Sequence, residues 1–382
     1  MVECQLPKLD VAGSSPVSRS KTQCRRRFLV LEDDNVGGMS NRSIGRSMVH
    51  ASVALLAGAC VALGSDPGTF DRTLPVSGPV DIDVRSDPGG VAITTGSSTS
   101  VRVHAVIKPL YGRLDLDLAE ANIRALEKNP PIEQVGNRIR IGYVKDQALL
   151  SGVTIHFEIE TPTLTVAHAY TASGGIRIDG ITGPVEASTT SGQIEISNVA
   201  SEIKTTGHSS AVVIRNAGGH VFVRTQSGGI QLTSIRGAVE AETTSGRTVI
   251  ADVSGEVRST THSGSISIDN ARGAVVAHDD SGSILALRLG GSVHAETKSG
   301  AIRISQLSPA PIRAVSDSGA IKVKLASGGG YLVDAKSRSG KVLGPVTNTS
   351  HRTTDAHSLK AQIGSGGPLV DLDTQSSRIN IN

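Results

Sequence analysis

The segment Val185-Glu-Ala-Ser-Thr-Thr-Ser-Gly-Gln-Ile-Glu-Ile-Ser-Asn-Val-Ala-Ser-Glu202 decides the fold, because the chain repeats it. Its Ser-Gly pair at Ser191 recurs at Ser173, Ser227, Ser245, Ser263, Ser281 and Ser299, and Ser209-Ser210 is a degenerate copy in register. Every gap is 18 or 36 residues. A fixed period of this kind marks an array of small supersecondary units. Three residues after each Ser stand Ile176, Ile194, Val212, Ile230, Thr248, Ile266, Ile284 and Ile302, and two further on Ile178, Ile196, Ile214, Leu232, Ile250, Ile268, Ala286 and Ile304. Residues two apart share one face of a strand, so these columns read as aliphatic ladders facing a common interior.

A second strand follows in each unit. Its inward residues are Val185, Ile203, Val221, Val239, Val257, Val275 and Val293, followed by Ala187, Thr205, Val223, Ala241, Ser259, Ala277 and Ala295. The small residues of the latter column imply a close opposite wall. Between strands stands Gly183, Gly219, Gly237, Gly255, Gly273 or Gly291, where positive φ or tight turning would suit glycine. One coil has no core of its own, so neighbours must cover its apolar face and atypical end units must cap the stack. The expected fold is all-β: a single-stranded β-solenoid (β-helix) of right-handed coil, with two short strands per 18-residue coil and a small helix-containing N-terminal cap. Opposite charges one coil apart support this register, with Glu186 facing Lys204, Glu240 facing Arg258 and Arg224 facing Glu242. Exposed pairs of this kind set register rather than hold a fold.

Outside the regular repeat the pattern loosens. Strands alternate from Phe70 to Val106, the Asp115–Lys128 stretch has a helical pattern of Leu116, Ala119, Ile123 and Leu126, and strands resume at 138–144 and 153–160. Past Ser299 the Ser-Gly pairs fall at Ser318 and Ser339, residues 344–357 read as a loop, and strands near 369–372 and 379–381 are placed to finish the stack. The domains expected are an upstream extension from a misassigned start (1–38), a signal peptide (39–64), an N-terminal β-rich cap with one helix (65–165) and the solenoid (166–382).

Composition fits an array. Aromatics make up 2% of the 382 residues, Trp is absent and Gly numbers 43, so the core must be built from small aliphatic side chains. The pI near 8.8 comes from the leader. Residues 1–47 hold eight Lys and Arg against five Asp and Glu, and that excess of three equals the whole chain's net +3. The remainder is neutral, without the basic stripe of a nucleic-acid binder. From Met39 a basic region with Arg42 and Arg46 precedes an apolar run from Met48 to Val61, the anatomy of a secretory signal and too short for a membrane span. Two processing routes stay open: cleavage after Ala62-Leu63-Gly64, or lipidation of Cys60 in the lipobox-like Ala57-Gly58-Ala59-Cys60. The cysteines are Cys4, Cys24 and Cys60, so the repeats carry no disulfide or thiolate metal site.

The Gly-Pro-Val-Asp-Ile-Asp-Val opening from Gly78 and the repeated Ser-Gly-x-Ile-x-Ile resemble the bacterial "putative adhesin" β-strand-repeat family, a domain of unknown function, over Phe70 to Asn382. The resemblance implies surface binding and names no ligand.

Catalytic constellations are weak. Thr189, Thr225, Thr243, Thr261 and Thr297 lie beside the Ser-Gly turns. A nucleophile needs one activated copy with a positioned base, whereas here the copies are near-identical, which suits hydroxyls that satisfy turn backbone groups. Their inward parity also argues against a flat ice-binding array. Asp279-Asp280 is the single acidic pair of the repeats, with Thr261-His262 and Thr297-Lys298 of the neighbouring coils in the same columns and no aromatic platform nearby to hold a sugar, and it reads as an isolated, solvated pair. His208, His262, His278 and His294 fall in different columns or several coils apart, so no metal set emerges. No catalytic, cofactor-binding or metal-ligating residue is expected. The expected role is a non-catalytic exported envelope protein with an adhesin-like or scaffolding surface. Its partner would be an envelope protein or polysaccharide, with no nucleic acid, membrane contact only through a lipid on Cys60, and end-to-end self-association open. Carbohydrate-active β-helix enzyme and cytoplasmic polymer-forming scaffold are the alternatives.

Overall fold

The computed structural model describes residues 67–110, 116–345 and 349–382, so the leader, Cys60 and both processing routes lie outside the described residues. The described chain is a stack of parallel coils around one continuous aliphatic core. Pairing follows the 18-residue offset: Val185 lies beside Ile203, Ile194 beside Val212, Val239 beside Val257 and Ile266 beside Ile284. The isoleucine ladders are sealed, with Ile194, Ile250 and Ile268 at 0% exposure. Each buried aliphatic side chain contributes about 1.5 to 3 kcal/mol, so the ladders outweigh any exposed ion pair. A further inward column, Ile181, Val199, Ala217, Ile235, Val253, Ala271 and Leu289, closes the second arm at the same spacing.

In five coils, among them Val185–Val199 and Val257–Ala271, the ladder runs unbroken for 15 residues through the Ser-Gly corner, which is a bend within the strand. Positive φ does not fall on the Gly219 to Gly291 column. It falls on Gly174, Gly192, Gly228 and Gly246 at the Ser-Gly corner and, among non-glycine residues, at Asn198 (56°), Asn216 (57°), Ser234 (60°), Asp252 (57°), Asn270 (57°) and Arg288 (52°), just before the closing aliphatic. Asn and Asp tolerate that conformation because their short polar side chains bond locally. Glycine is needed at 237 for another reason, since a Cβ there would lie 2.2 Å from the Gly219 carbonyl oxygen of the coil below.

Both ends depart from a simple sequential stack. Val80–Ser86 and Val91–Thr95 form a coil directly beneath 165–179, with Ile82 beside Ala167 and Ile93 beside Ile178. The chain then leaves the stack, and Arg138–Ile141 and Val153–Thr161 pair against this coil from the other side. Val153–Thr161 runs antiparallel to Ser100–Pro109, which pairs antiparallel with Gly68–Pro75. The helix Leu116–Lys128 covers these strands with Ala119, Ile123 and Leu126, as its periodicity predicts. Leu116 is instead 54% exposed, and Asn122 takes a buried place by donating from Nδ2 to the Ala148 and Ser151 carbonyls at 3.2 and 3.0 Å.

At the other end, Leu369–Thr374 and Ile379–Ile381 do not finish the stack. They slot between the coil of Ile312–Ser316 and Ile321–Lys324 and that of Tyr331–Ser337 and Val342–Leu343. The segment read as a loop contains the strand Thr349–Thr354, antiparallel to Ser358–Ile363, which in turn pairs with Tyr331–Ser337. Antiparallel strands therefore flank the parallel stack at both ends, a device that blunts an exposed edge.

The register pairs hold in two of three places. Lys204 Nζ is 2.8 Å from Glu186 Oε1, holding that carboxyl below its usual range, and Arg224 Nε is 2.6 Å from Glu242 Oε2. Arg258 lies beside Glu240 in the ladder, but its guanidinium turns to Glu256 at 3.8 Å. Lys204→Glu should therefore lower the unfolding midpoint slightly, and Glu186→Lys added to it should restore most of the loss at low salt. Equal midpoints for the single and double variants would remove this pair from the factors that set register.

Candidate functional site

Alternation decides which hydroxyls point in. The threonine column is buried: Thr225 Oγ1 donates to the Ser210 carbonyl at 3.2 Å, Thr297 to Gly282 at 3.1 Å and Thr189 to Gly174 at 3.4 Å. These hydroxyls close the Ser-Gly corner of the coil below. The hydroxyls of Thr243 and Thr261, also buried, have no partner. The serines of the Ser-Gly pairs, Ser191 through Ser299, are exposed.

Asp279 occupies this threonine column, between Thr261 and Thr297, and is 0% exposed. The expected solvated pair is thus half wrong. Ser281 N donates to Asp279 Oδ1 at 3.1 Å, and Oδ2 has no partner. Burial is the main cause that pushes this carboxyl up to about 6. Asp280, the next residue, points outward. His262 Nδ1 is 2.5 Å from its Oδ2 and Lys298 Nζ 2.5 Å from its Oδ1, with His278 Nε2 at 3.5 Å. The bond from Lys298 is the main cause that holds the Asp280 carboxyl below its usual range. His278 also faces Glu296 at 3.7 Å. Two histidines read as unrelated therefore meet on one carboxylate. The 18-residue offset from 262 to 280 and from 280 to 298 is the signal that places them there. The two aspartates lie on opposite faces of the sheet, so their carboxyl groups do not converge on one ligand. No group of three or more His, Cys, Asp or Glu is arranged to hold a metal among the described residues.

The corner of Asn198, Asn216, Ser234, Asp252 and Asn270 carries the surface feature that repeats. Asn216 Nδ2 donates to Asn198 Oδ1 at 3.0 Å, Asn198 Nδ2 to Asp179 Oδ1 at 2.7 Å and Asn270 Nδ2 to Asp252 Oδ1 at 2.6 Å. Beside these side chains runs a groove of about 560 Å³ crossing four successive coils. Asn198, Asn216, Ser234, Arg236, Asp252 and Ser254 give it polar walls, and Val199, Ala217 and Ile235 lie beneath. Neighbouring coils repeat every 4.8 Å or so, so the groove offers amide, hydroxyl and carboxylate groups at near-constant spacing. No helix of the described residues is long and apolar enough to cross a membrane.

Residues 171–382 match a family model described as Toastrack DUF4097. Among solved structures, a "putative cell adhesion protein" from Clostridium sporogenes is similar at 10% identity, covering 83% of this chain and 99% of that one with a TM-score of 0.21. A "putative adhesin" from Bacteroides fragilis is similar at 13% identity, covering 82% of this chain and 97% of that one with a TM-score of 0.25. No curated protein matches the sequence.

Proposed function

The chain belongs to the Toastrack DUF4097 family, and from that premise we propose that it is a non-catalytic, exported cell-envelope protein that binds or scaffolds through the outer surface of its solenoid. The observation that carries this reading is the groove across the Asn198, Asn216, Ser234 and Asp252 corners, where one polar pattern recurs coil after coil. Repetition at fixed spacing suits an extended partner, a polysaccharide or a protein segment, which gains many weak contacts at once. The signal-like Met39–Gly64 segment supports export, and Cys60 offers a lipid tether.

The test is intact mass and N-terminal sequencing of the protein from fractionated cells that express it from its native start. The expected result is a chain in the envelope or medium that begins at lipidated Cys60 or at Ser65. A cytoplasmic chain that retains residues 39–64 would sink this reading and favour an intracellular polymer-forming scaffold.

One observation favours a second reading, a carbohydrate-active enzyme. A buried carboxyl with its pKa pushed up to about 6, as at Asp279, is the state in which a general acid works. Its inward direction and the absence, among the described residues, of a second buried carboxylate on the same face count against it. Release of reducing sugars from envelope polysaccharide by the purified protein, lost in both Asp279→Ala and Asp280→Ala, would establish this reading in place of the first.

A further inference from the structure

The N-terminal cap holds a cavity whose lining differs from that of any solenoid groove. It encloses about 420 Å³ between the first coil, the segment after Arg138–Ile141 and the strand Thr165–Ser173. Two of the chain's four tyrosines, Tyr143 and Tyr170, stand in it. The Arg85 guanidinium carbon lies 5.0 Å from the Tyr170 ring centroid and 5.6 Å from that of Tyr143, and Arg140 lies 3.9 Å from the Tyr143 ring. Burial, and after it the bond that the hydroxyl donates to Asp83 Oδ2 at 2.7 Å, raise the Tyr143 pKa, so the phenol stays protonated and fixed in place. Gly142 presses this segment onto the first coil, for a Cβ there would lie 1.8 Å from the Arg85 carbonyl oxygen at φ +81°.

The cations of this cavity are not equivalent. Glu133 partners Arg140 at 3.4 Å and Lys145 at 3.9 Å. Arg85 forms no ion pair with any carboxylate among the described residues. Its ring contacts leave the in-plane N–H edge as the free recognition surface.

We infer that this cavity binds a carboxylate-bearing sugar, with Arg85 as its anchor. A planar guanidinium presents two parallel donors that match a carboxylate. Asp87, Glu133 and Gln147 line the same cavity and supply acceptors for several hydroxyl groups. Those acidic side chains oppose a phosphate, which carries close to two charges, more strongly than a singly charged carboxylate. The volume falls in the range of small-ligand sites. The site does not depend on the groove across the solenoid corners, and either can fail without the other.

Calorimetric titration of the full chain with trigalacturonate, sialyllactose and the methyl ester of trigalacturonate tests the inference. Saturable binding of at least one acidic sugar is expected. Arg85→Gln should weaken it roughly 10- to 100-fold, the value of a hydrogen-bonded charge. Arg85 is exposed, so circular dichroism and the unfolding midpoint of this variant should match the parent. Trigalacturonate should also bind far better than its ester, a comparison that needs no variant. The inference is overturned if no acidic sugar binds, if Arg85→Gln binds as the parent does, or if inorganic phosphate binds more tightly than every sugar.

Discussion

Asp279→Thr should stabilise the protein by about 1 to 3 kcal/mol at pH 8 and by little at pH 4. The reason is the position of the carboxyl in a column of hydroxyls. Thr297 Oγ1 donates to the Gly282 carbonyl, and Thr225 to Ser210, whereas Asp279 Oδ2 is buried without a partner. Both that oxygen, at 2.5 Å, and the Gly264 carbonyl oxygen, at 1.7 Å, crowd the point where a Cβ on Gly282 would sit. Crowding of two acceptors favours the protonated carboxyl, which can donate to the carbonyl as its neighbour Thr297 donates to that of Gly282. Burial accordingly pushes Asp279 up to about 6 from an ordinary 3.8. The folded chain then keeps a proton that the unfolded chain has released. Its contribution is intact below pH 4 or so, is lost as pH rises through about 6, and stays lost above that. Urea unfolding of both chains at pH 4, 6 and 8 should show a gap that opens with pH. A gap of constant size would mean that the carboxyl is ionised in the folded state throughout.

Gly228→Ala should cost about 3 to 5 kcal/mol, while Ser227→Ala beside it should change stability by no more than about 0.5 kcal/mol. The two residues of the repeated pair have opposite situations. Ser227 is exposed and its hydroxyl faces solvent at the corner. Gly228 has φ +147°, and a Cβ there would lie 2.0 Å from the Ser210 carbonyl oxygen and 2.6 Å from its carbon. Those atoms are backbone of the coil below, tied into the parallel ladder, and cannot rotate aside. The methyl must therefore part the coils or twist the corner. Hydrogen exchange should show the loss concentrated in the coils of 203–217 and 221–235, because each coil is held by its neighbours. Equal effects of the two substitutions would make the glycine dispensable and the close stacking at this corner unimportant.

Much of this fold is legible in the sequence, and the reason is its period. An offset of 18 residues fixes the neighbour of Ile194 as Val212 and of Lys204 as Glu186 without any knowledge of the third dimension, and those neighbours are observed. Parity along a strand then decides that Thr225 points in and Arg224 out. The same offset puts His262, Asp280 and Lys298 in one column, and the structure brings them into contact, whereas His278 reaches that carboxylate from a column the spacing does not link to it. The status of Asp279 was the reverse case. Its inward parity was available, but a charged residue suggests solvent, and only packing shows that the carboxyl is sealed.

The ends were less legible because they break the period. Gly367-Pro-Leu-Val-Asp-Leu-Asp373 carries the coil signature of Gly78-Pro-Val-Asp-Ile-Asp-Val84, so its membership in the stack can be read. Its place between two earlier coils cannot, since a parallel ladder accepts any strand of the right pattern in any order. The Arg85, Tyr143 and Tyr170 cavity likewise joins residues far apart in an irregular region, where no offset links them. The sequence by itself determined the coil, its register and the inward columns, because stacking identical units turns spacing along the chain into contact in space. Only the tertiary structure decided the insertion of the last coil, the burial of Asp279 and the cavity in the cap. These depend on long-range closure and on local dielectric, which packing sets and a periodic pattern does not encode.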